Sequence, residues 1–139
     1  MQLMPKTAEA MASELNQPLP DPDALFLPEV NIKLGSGYLS KIFRQLRENP
    51  VLATAAYNAG PLRVESWLPE KQQEADIWIE TVPYKETREY LKRVLAYTVI
   101  YNYRLGQDPV HLPTPWLPPI EGHPANPPAR EEQVPVSGV

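Results

Sequence analysis

Three separated segments of this sequence set hydrogen-bonding side chains among apolar neighbours. Gln2 and Met4 stand near the start, Tyr57 and Asn58 in the middle, Glu80 and Tyr84 further on. The middle segment, Ala53-Thr54-Ala55-Ala56-Tyr57-Asn58-Ala59-Gly60-Pro61, is the most informative. Its alanines favour helix and allow neighbouring helices to come close. Gly60 suits the turn that ends a helix, and Pro61 suits the first position of the next. A tyrosine and an asparagine in the last turn of such a helix have two fates. Either they find hydrogen-bond partners inside the protein, or they face a cleft and offer those groups to a ligand. The third segment, Ile77 to Pro83, holds the carboxylate of Glu80 inside a very hydrophobic stretch. If the helices carrying these segments meet, their polar groups line one groove.

Composition narrows what such a groove could serve. A chain of 139 residues is one ordinary domain, able to bury roughly two-thirds of the surface its unfolded form exposes. The net charge of −4 comes without any long basic run, so the electrostatic footprint of a nucleic-acid binder is missing. The sequence has no cysteine, which excludes disulfides and thiolate zinc sites. Its two histidines, His111 and His123, lie in proline-rich sequence without metal-ligand spacing and read as solvent-exposed, so neither a metal nor another cofactor is expected. No apolar run is long enough to span a bilayer, and no basic segment followed by a hydrophobic one opens the chain. Met1-Gln2-Leu3-Met4-Pro5 runs straight into a helical pattern, so the opening reads as cut, with room for an export segment upstream.

The elements that must position these residues are helical. Pro5 starts a helix whose apolar face is Ala8, Met11, Ala12 and Leu15. Asn16 to Pro22 is a loop, with a short turn at Asp23 to Phe26. Pro28 and Glu29 open an amphipathic helix of about 20 residues carrying Ile32, Gly35, Tyr38, Leu39, Ile42, Phe43 and Leu46 on one stripe. Gly35 and Gly37 inside it point to tight helix contact. Asn49-Pro50 starts the alanine-rich helix, and Pro61 a short one with Val64, Trp67 and Leu68. Glu70 to Asp76 is an exposed connection. The last long helix runs from Tyr84 or Lys85 to Leu105, closed by Gly106, and the breadth of its apolar stripe predicts a central, mostly buried helix. Nine of the 18 prolines follow it, between Pro109 and Pro135. We therefore expect an all-α fold in three parts: a helical core over 1–106, an extended strap over 107–120 docked through Leu112, Trp116, Leu117 and Ile120, and a disordered tail over 121–139.

Four segments, in order, resemble the motifs of the soluble lytic murein transglycosylases. They are Met-Gln-Leu-Met-Pro-x-Thr-Ala at Met1 to Ala8, Asn-Ile-x-x-Gly-x-x-Tyr-Leu at Asn31 to Leu39, Ala-Ala-Tyr-Asn-Ala-Gly-Pro at Ala55 to Pro61, and Ile-Glu-x-x-Pro-Tyr-x-Glu-Thr-Arg-x-Tyr at Ile79 to Tyr90. The resemblance implies a lysozyme-like helical domain of the bacterial cell envelope or periplasm, acting as a monomer on peptidoglycan glycan strands. The implied reaction cleaves the β-1,4 bond between N-acetylmuramic acid and N-acetylglucosamine, with the muramoyl 6-hydroxyl attacking to leave a 1,6-anhydro product. A glycosidase that uses water needs two carboxylates. When the attacking hydroxyl belongs to the substrate, one carboxyl can act first as acid and then as base.

The sequence departs from the family at the general acid. In the family that glutamate belongs to a Glu-Ser motif ahead of Gly-Leu-Met-Gln, and this sequence opens at the methionine of that segment. The expectation is a truncated catalytic domain, inactive as it stands, with no catalytic residue of its own beyond supporting roles for Glu80 and Tyr57. By the same resemblance, Gln2 bonds a sugar or its acetamido group and Met4 gives an apolar wall or simple core packing. Tyr57 places its hydroxyl near the scissile sugar, and Asn58 fixes the turn or holds the ligand. Glu80 bears on the cationic transition state, its pKa raised by Trp78 and Ile79. Tyr84 and Tyr90 are weaker candidates, one to stack on a sugar and the other to belong to the core. The alternatives are a peptidoglycan-binding remnant without catalysis and a helical protein-interaction module.

Overall fold

A computed structural model describes residues 3–18, 21–107 and 116–123. Among them are six α-helices: α1 (Pro5–Glu14), α2 (Pro28–Gln45), α3 (Pro50–Ala59), α4 (Pro61–Ser66), α5 (Ala75–Thr81) and α6 (Lys85–Arg104), with a 3₁₀ turn at Pro22–Phe26. Helices α1 to α4 each begin on a proline, where a fixed φ helps and the missing N–H costs nothing. No strand forms among the described residues; there is one isolated antiparallel bridge, Gln73 to Ile120.

Helix α3 is the centre. Val51, Leu52, Ala53, Ala55 and Ala56 are buried, and α2, α4 and α6 all pack on it. Alanine is what permits this, because a methyl side chain lets three neighbouring backbones approach one helix. The core continues through Ile42, Leu46, Val64, Ala75, Trp78, Ile79, Val82 and Leu91. A second, smaller cluster joins α1 to α2 through Ala8, Met11, Ala12 and Leu34, and Tyr38 borders both clusters. A Cβ built on Gly37 would lie 3.3 Å from both Leu15 and Met11, so the α1–α2 contact is indeed tight at this glycine. Lys41 of α2 pairs with Glu14 of α1 at the surface, a contact of small energetic weight.

Helix α6 departs from expectation. It is not mostly buried: only Thr87 and Leu91 are fully so, and Tyr97, Ile100, Tyr101, Tyr103 and Leu105 are exposed. The reason is length. At about 1.5 Å per residue, the 20 residues of α6 extend well past the 10 of α3, so among the described residues no helix covers its second half. The central position belongs to the shorter helix.

The turn between α2 and α3 is held from outside. Arg47 and Glu48 have φ of 59° and 56°, a conformation that non-glycine residues adopt at a cost. Asn49 then caps α3, its Oδ1 accepting from the N–H groups of Val51 and Leu52 at 3.0 and 3.2 Å. The strap, as far as it is described, docks here. Asn49 donates through Nδ2 to the Pro119 carbonyl at 3.3 Å, and Arg47 through Nη1 to the Gly122 carbonyl at 3.0 Å. On the other side, Gln73 and Ile120 exchange N–H···O bonds of 2.9 and 2.8 Å, and the His123 N–H donates to the Pro69 carbonyl at 3.0 Å. Ile120 is fully buried in the main core. Docking thus continues to His123, past the expected limit at 120, because the backbone groups of Gly122 and His123 meet partners. His123 itself is exposed, as expected; His111 and Leu112 lie outside the described residues.

Two substitutions test the strap. Ile120→Ala is expected to lower unfolding free energy in urea by roughly 2–4 kcal/mol, the range for deleting a buried branched side chain. Gly122→Ala is expected to destabilise as well, because its Cβ would sit 2.7 Å from the Glu70 carbonyl oxygen, which is backbone and cannot swing away.

Candidate functional site

The C-terminal turn of α3 carries Tyr57 and Asn58 into contact with two other segments. Tyr38 of α2 packs against Tyr57 with ring centroids 5.5 Å apart and planes tilted by 55°, a favourable aromatic arrangement. From α6, Thr87 donates its hydroxyl hydrogen to Asn58 Oδ1 at 2.8 Å. Thr87 is itself almost fully buried, so this bond satisfies two polar groups at the α3–α6 contact. Gly60 follows with φ of 93°, where glycine avoids the penalty other residues meet, and the chain turns into α4. Asn58 therefore joins α3 to α6 through Thr87, two residues ahead of the Gly60 turn.

The Tyr57 hydroxyl differs. Its oxygen is out of solvent contact and has no hydrogen-bond partner among the described residues. Burial pushes its pKa up from 10.0 to about 12, with further upward contributions from the Tyr90 and Tyr38 phenols. Burial also raises the pKa of Tyr90. At neutral pH Tyr57 is therefore a neutral donor and acceptor with an unused O–H, in a place where an unpaired hydroxyl costs roughly 1–3 kcal/mol. Of the two fates open to Tyr57 from sequence, neither is observed among the described residues: its hydroxyl has no internal partner and no contact with solvent.

Tyr84 stands at the N-cap of α6. Its ring meets Trp67 edge-on at 5.1 Å and 64°, and the Arg63 guanidinium carbon lies over it, 5.6 Å from the centroid. The ring is 47% exposed, but the face expected to stack on a sugar carries a guanidinium. Neither Arg63 nor Trp67 figures among the site residues expected from sequence, and Thr87 figures only as a polar residue of the fourth motif, since a role that depends on partners from another helix leaves no local pattern.

Glu80 does not join this group. Its neighbours Trp78 and Ile79 turn into the core, while Glu80 projects outward, 63% exposed, and pairs with Lys92 Nζ at 2.8 Å. The desolvation expected from Trp78 and Ile79 is absent, because adjacent helical positions point about 100° apart. Lys92 lies about 160° around α6 from Tyr90 by the same helical geometry, so Glu80 is engaged on a different side of that helix. Met4 is 71% exposed and is no part of the core. Gln2 lies outside the described residues. Arg88 of α6 donates through Nη1 to the Val82 carbonyl at 2.5 Å. No group of three potential metal ligands occurs among the described residues.

Residues 1–79 match the family model described as the transglycosylase SLT domain, and residues 81–110 match the soluble lytic transglycosylase helical domain. The chain belongs to the soluble lytic transglycosylase family. The soluble lytic murein transglycosylase of Escherichia coli strain K12 is 40% identical over 112 residues, covering 78% of this chain and 17% of the relative. That of Salmonella typhimurium is 41% identical over 112 residues, covering 77% and 17%. Among solved structures, an inactive glutamate-to-glutamine variant of lytic transglycosylase Slt from Pseudomonas aeruginosa superimposes with a TM-score of 0.73. It is 48% identical, and the match covers 78% of this chain and 18% of that one. The 70 kDa enzyme SLT70 of Escherichia coli gives 0.71 at 37% identity, with the same coverage. The lysozyme-like helical fold expected from the motifs is the fold of this transglycosylase segment, which spans less than a fifth of these relatives. The second and third motifs meet at Tyr38 and Tyr57, and the third and fourth at Asn58 and Thr87.

Removal of the Tyr57 hydroxyl separates function from stability. Tyr57→Phe is expected to leave stability unchanged or raise it by up to about 1 kcal/mol, since no hydrogen bond is lost. The raised pKa means the folded state disfavours tyrosinate, so the parent chain loses stability as pH rises from 10 towards about 12 while Tyr57→Phe escapes that loss. A difference titration of tyrosinate absorbance, parent minus Tyr57→Phe, is expected to show one phenol ionising above pH 10. By contrast, Thr87→Val strands Asn58 Oδ1 and is expected to cost about 1–3 kcal/mol in urea unfolding, with Thr87→Ser recovering most of it.

Proposed function

We propose that this chain supplies the glycan-binding part of a peptidoglycan lytic transglycosylase, acting at the cell envelope on the bond between N-acetylmuramic acid and N-acetylglucosamine. The observation that carries the reading is the Tyr57 hydroxyl: buried, neutral, without a partner among the described residues, and set where three family motifs converge. The Tyr57 oxygen is out of solvent contact, so a sugar hydroxyl or acetamido carbonyl completes the hydrogen bond that the folded chain leaves unmade once the side chains covering it give way. Relief of that desolvation cost on binding gives the contact more weight than an exposed phenol would have.

In the reaction, the muramoyl 6-hydroxyl replaces water, so one carboxyl serves both proton transfers. The family's Glu-Ser general acid stands ahead of the Met-Gln segment, whereas the Glu65-Ser66 pair of this sequence lies in α4, and Glu80 is a surface partner of Lys92. Tyr57 holds the reacting sugar and does not move the proton itself, because a phenol held near pKa 12 is a poor acid–base catalyst at neutral pH. Asn58 and Thr87 keep the turn in place. Among the described residues no helix is long and apolar enough to cross a membrane.

Incubation with purified sacculi tests the reading. Residues 1–139 are expected to be retained on sacculi without releasing 1,6-anhydro muropeptides. A chain bearing a Glu-Ser segment ahead of Met1 is expected to release them. Tyr57→Phe is expected to weaken retention about tenfold, the worth of one buried hydrogen bond, and Glu80→Gln to change it less than about twofold. Release by residues 1–139 would place the general acid within this sequence and overturn the assignment.

A further inference from the structure

The 3₁₀ turn at Pro22–Phe26 and the start of α2 present an apolar surface that the glycan reading does not use. Phe26 is 85% exposed, and Leu27 and Ile32 are each more than half exposed. They adjoin one another, which sets them apart from the single exposed apolar residues of any protein surface. Leu25, Phe26, Pro28, Asn31 and Ile32 line one cleft of about 380 Å³, and Leu27 lies between two of them in the chain. By spacing Ile32 belongs to the apolar stripe of α2, but it lies outside both core clusters. The cleft is held in shape, because Asn31 Nδ2 donates to the Leu25 carbonyl at 3.0 Å and so ties the turn to the helix.

Two further features say what this surface suits. Leu27 is the N-cap of α2, and its side chain makes no cap bond. Two other proline-led starts have polar caps: Asp21 accepts from the Asp23 N–H at 3.2 Å, and Asn49 from the N–H groups of Val51 and Leu52. Serine, aspartate or asparagine at position 27 would cap α2 in the same way, so an exposed leucine there forgoes stability. The second feature is charge. Side chains three apart eclipse on a 3₁₀ turn and share a face on an α-helix, which sets Asp23 beside Phe26 and Glu29 beside Ile32. Both carboxylates are exposed, and among the described residues neither joins an ion pair. Lys33, next in sequence to Ile32, turns its Nζ to Gln17 at 2.8 Å and lines a separate hollow there with Asp21.

We propose that the surface of Phe26, Leu27 and Ile32, rimmed by Asp23 and Glu29, is a docking site for a basic amphipathic helix of a partner protein. Apolar side chains at helical spacing fill the cleft and cover Leu27, and lysine or arginine on the helix flank meets the two carboxylates. A second copy of this chain would set like-charged rims against each other, and an anionic lipid surface would meet the same repulsion. No strand edge lies beside the cleft among the described residues, so an extended segment finds no backbone to pair with. None of Tyr38, Tyr57, Asn58 and Thr87 lines the cleft, and the proposal stands or falls independently of the glycan reading.

Two fluorescent model peptides test it, each with leucine along one helical face and either lysine or glutamate along the other. The parent chain is expected to bind the leucine–lysine peptide about tenfold more tightly than the leucine–glutamate one at low salt, with the gap closing as salt is added. Phe26→Ser and Leu27→Asn are each expected to weaken that binding about five- to tenfold, the scale of an interface anchor. Asp23→Asn combined with Glu29→Gln is expected to remove the preference between the peptides. Leu27→Asn is also expected to raise the thermal midpoint by about 4 °C, because it gains a cap, so its weaker binding is no loss of fold. Unchanged binding in Phe26→Ser and Leu27→Asn, or equal binding of the two peptides by the parent chain, would overturn the proposal. So would self-association, or uptake onto phosphatidylglycerol vesicles, that Phe26→Ser abolishes, since either gives the surface a different occupant. Retention on sacculi is expected to be the same in Phe26→Ser as in the parent chain; a loss there would make the surface part of the glycan site and overturn the proposal as well.

Discussion

The close approach of three helices to one short alanine-rich helix is the constraint on which this structure depends. Ala53, Ala55 and Ala56 of α3 are buried with no more than a methyl group each, and that lets α2, α4 and α6 share a single neighbour. Close packing leaves little room at the helix end, where the side chains become larger and polar. Asn58 solves its own problem by accepting from Thr87. Tyr57 is enclosed between Tyr38 and the surroundings of Tyr90 without a partner for its oxygen. The same tightness that holds the core therefore also creates the one buried hydroxyl that the described residues do not satisfy.

Two kinds of polar group result, and they differ in how the fold treats them. Asn49 and Asn58 are structural: one caps α3 and joins the strap, the other locks α3 to α6. Tyr57 retains hydrogen-bonding capacity after folding. A buried unmade bond lowers stability. It costs the folded chain and becomes favourable when a polar ligand arrives. Such trade-offs concentrate at sites of binding.

Much of the helical order was legible because proline marks it. Pro5, Pro28, Pro50 and Pro61 announce helix starts by a local rule that tertiary structure did not override. Gly60 and Gly37 were legible for the same reason, one through its φ and one through a packed Cβ position. The burial of α6 was misread, since a wide apolar stripe records what a helix could cover and not how long its neighbour is. Glu80 was misread because an apolar stretch in sequence is not an apolar surrounding in a helix: Trp78 and Ile79 point inward and Glu80 outward. The placement of Arg63 was invisible, as it arises only when Tyr84, some twenty residues later, comes back beneath it.

The strap shows how the core exceeds the segment matched by the family. The second family model ends at residue 110, yet Ile120 is as deeply buried as any side chain on α3. It bridges to Gln73, in the connection between α4 and α5, while Asn49 and Arg47 grip its neighbours from the α2–α3 turn. One short extended stretch thus ties the two ends of α3's environment together: the strained turn that precedes α3, and the connection that leads from Trp67 towards α5. Trp67 braces Tyr84 and so Arg63. The connection that carries Trp67 is thus held through Pro69 and Gln73 by residues beyond the family match.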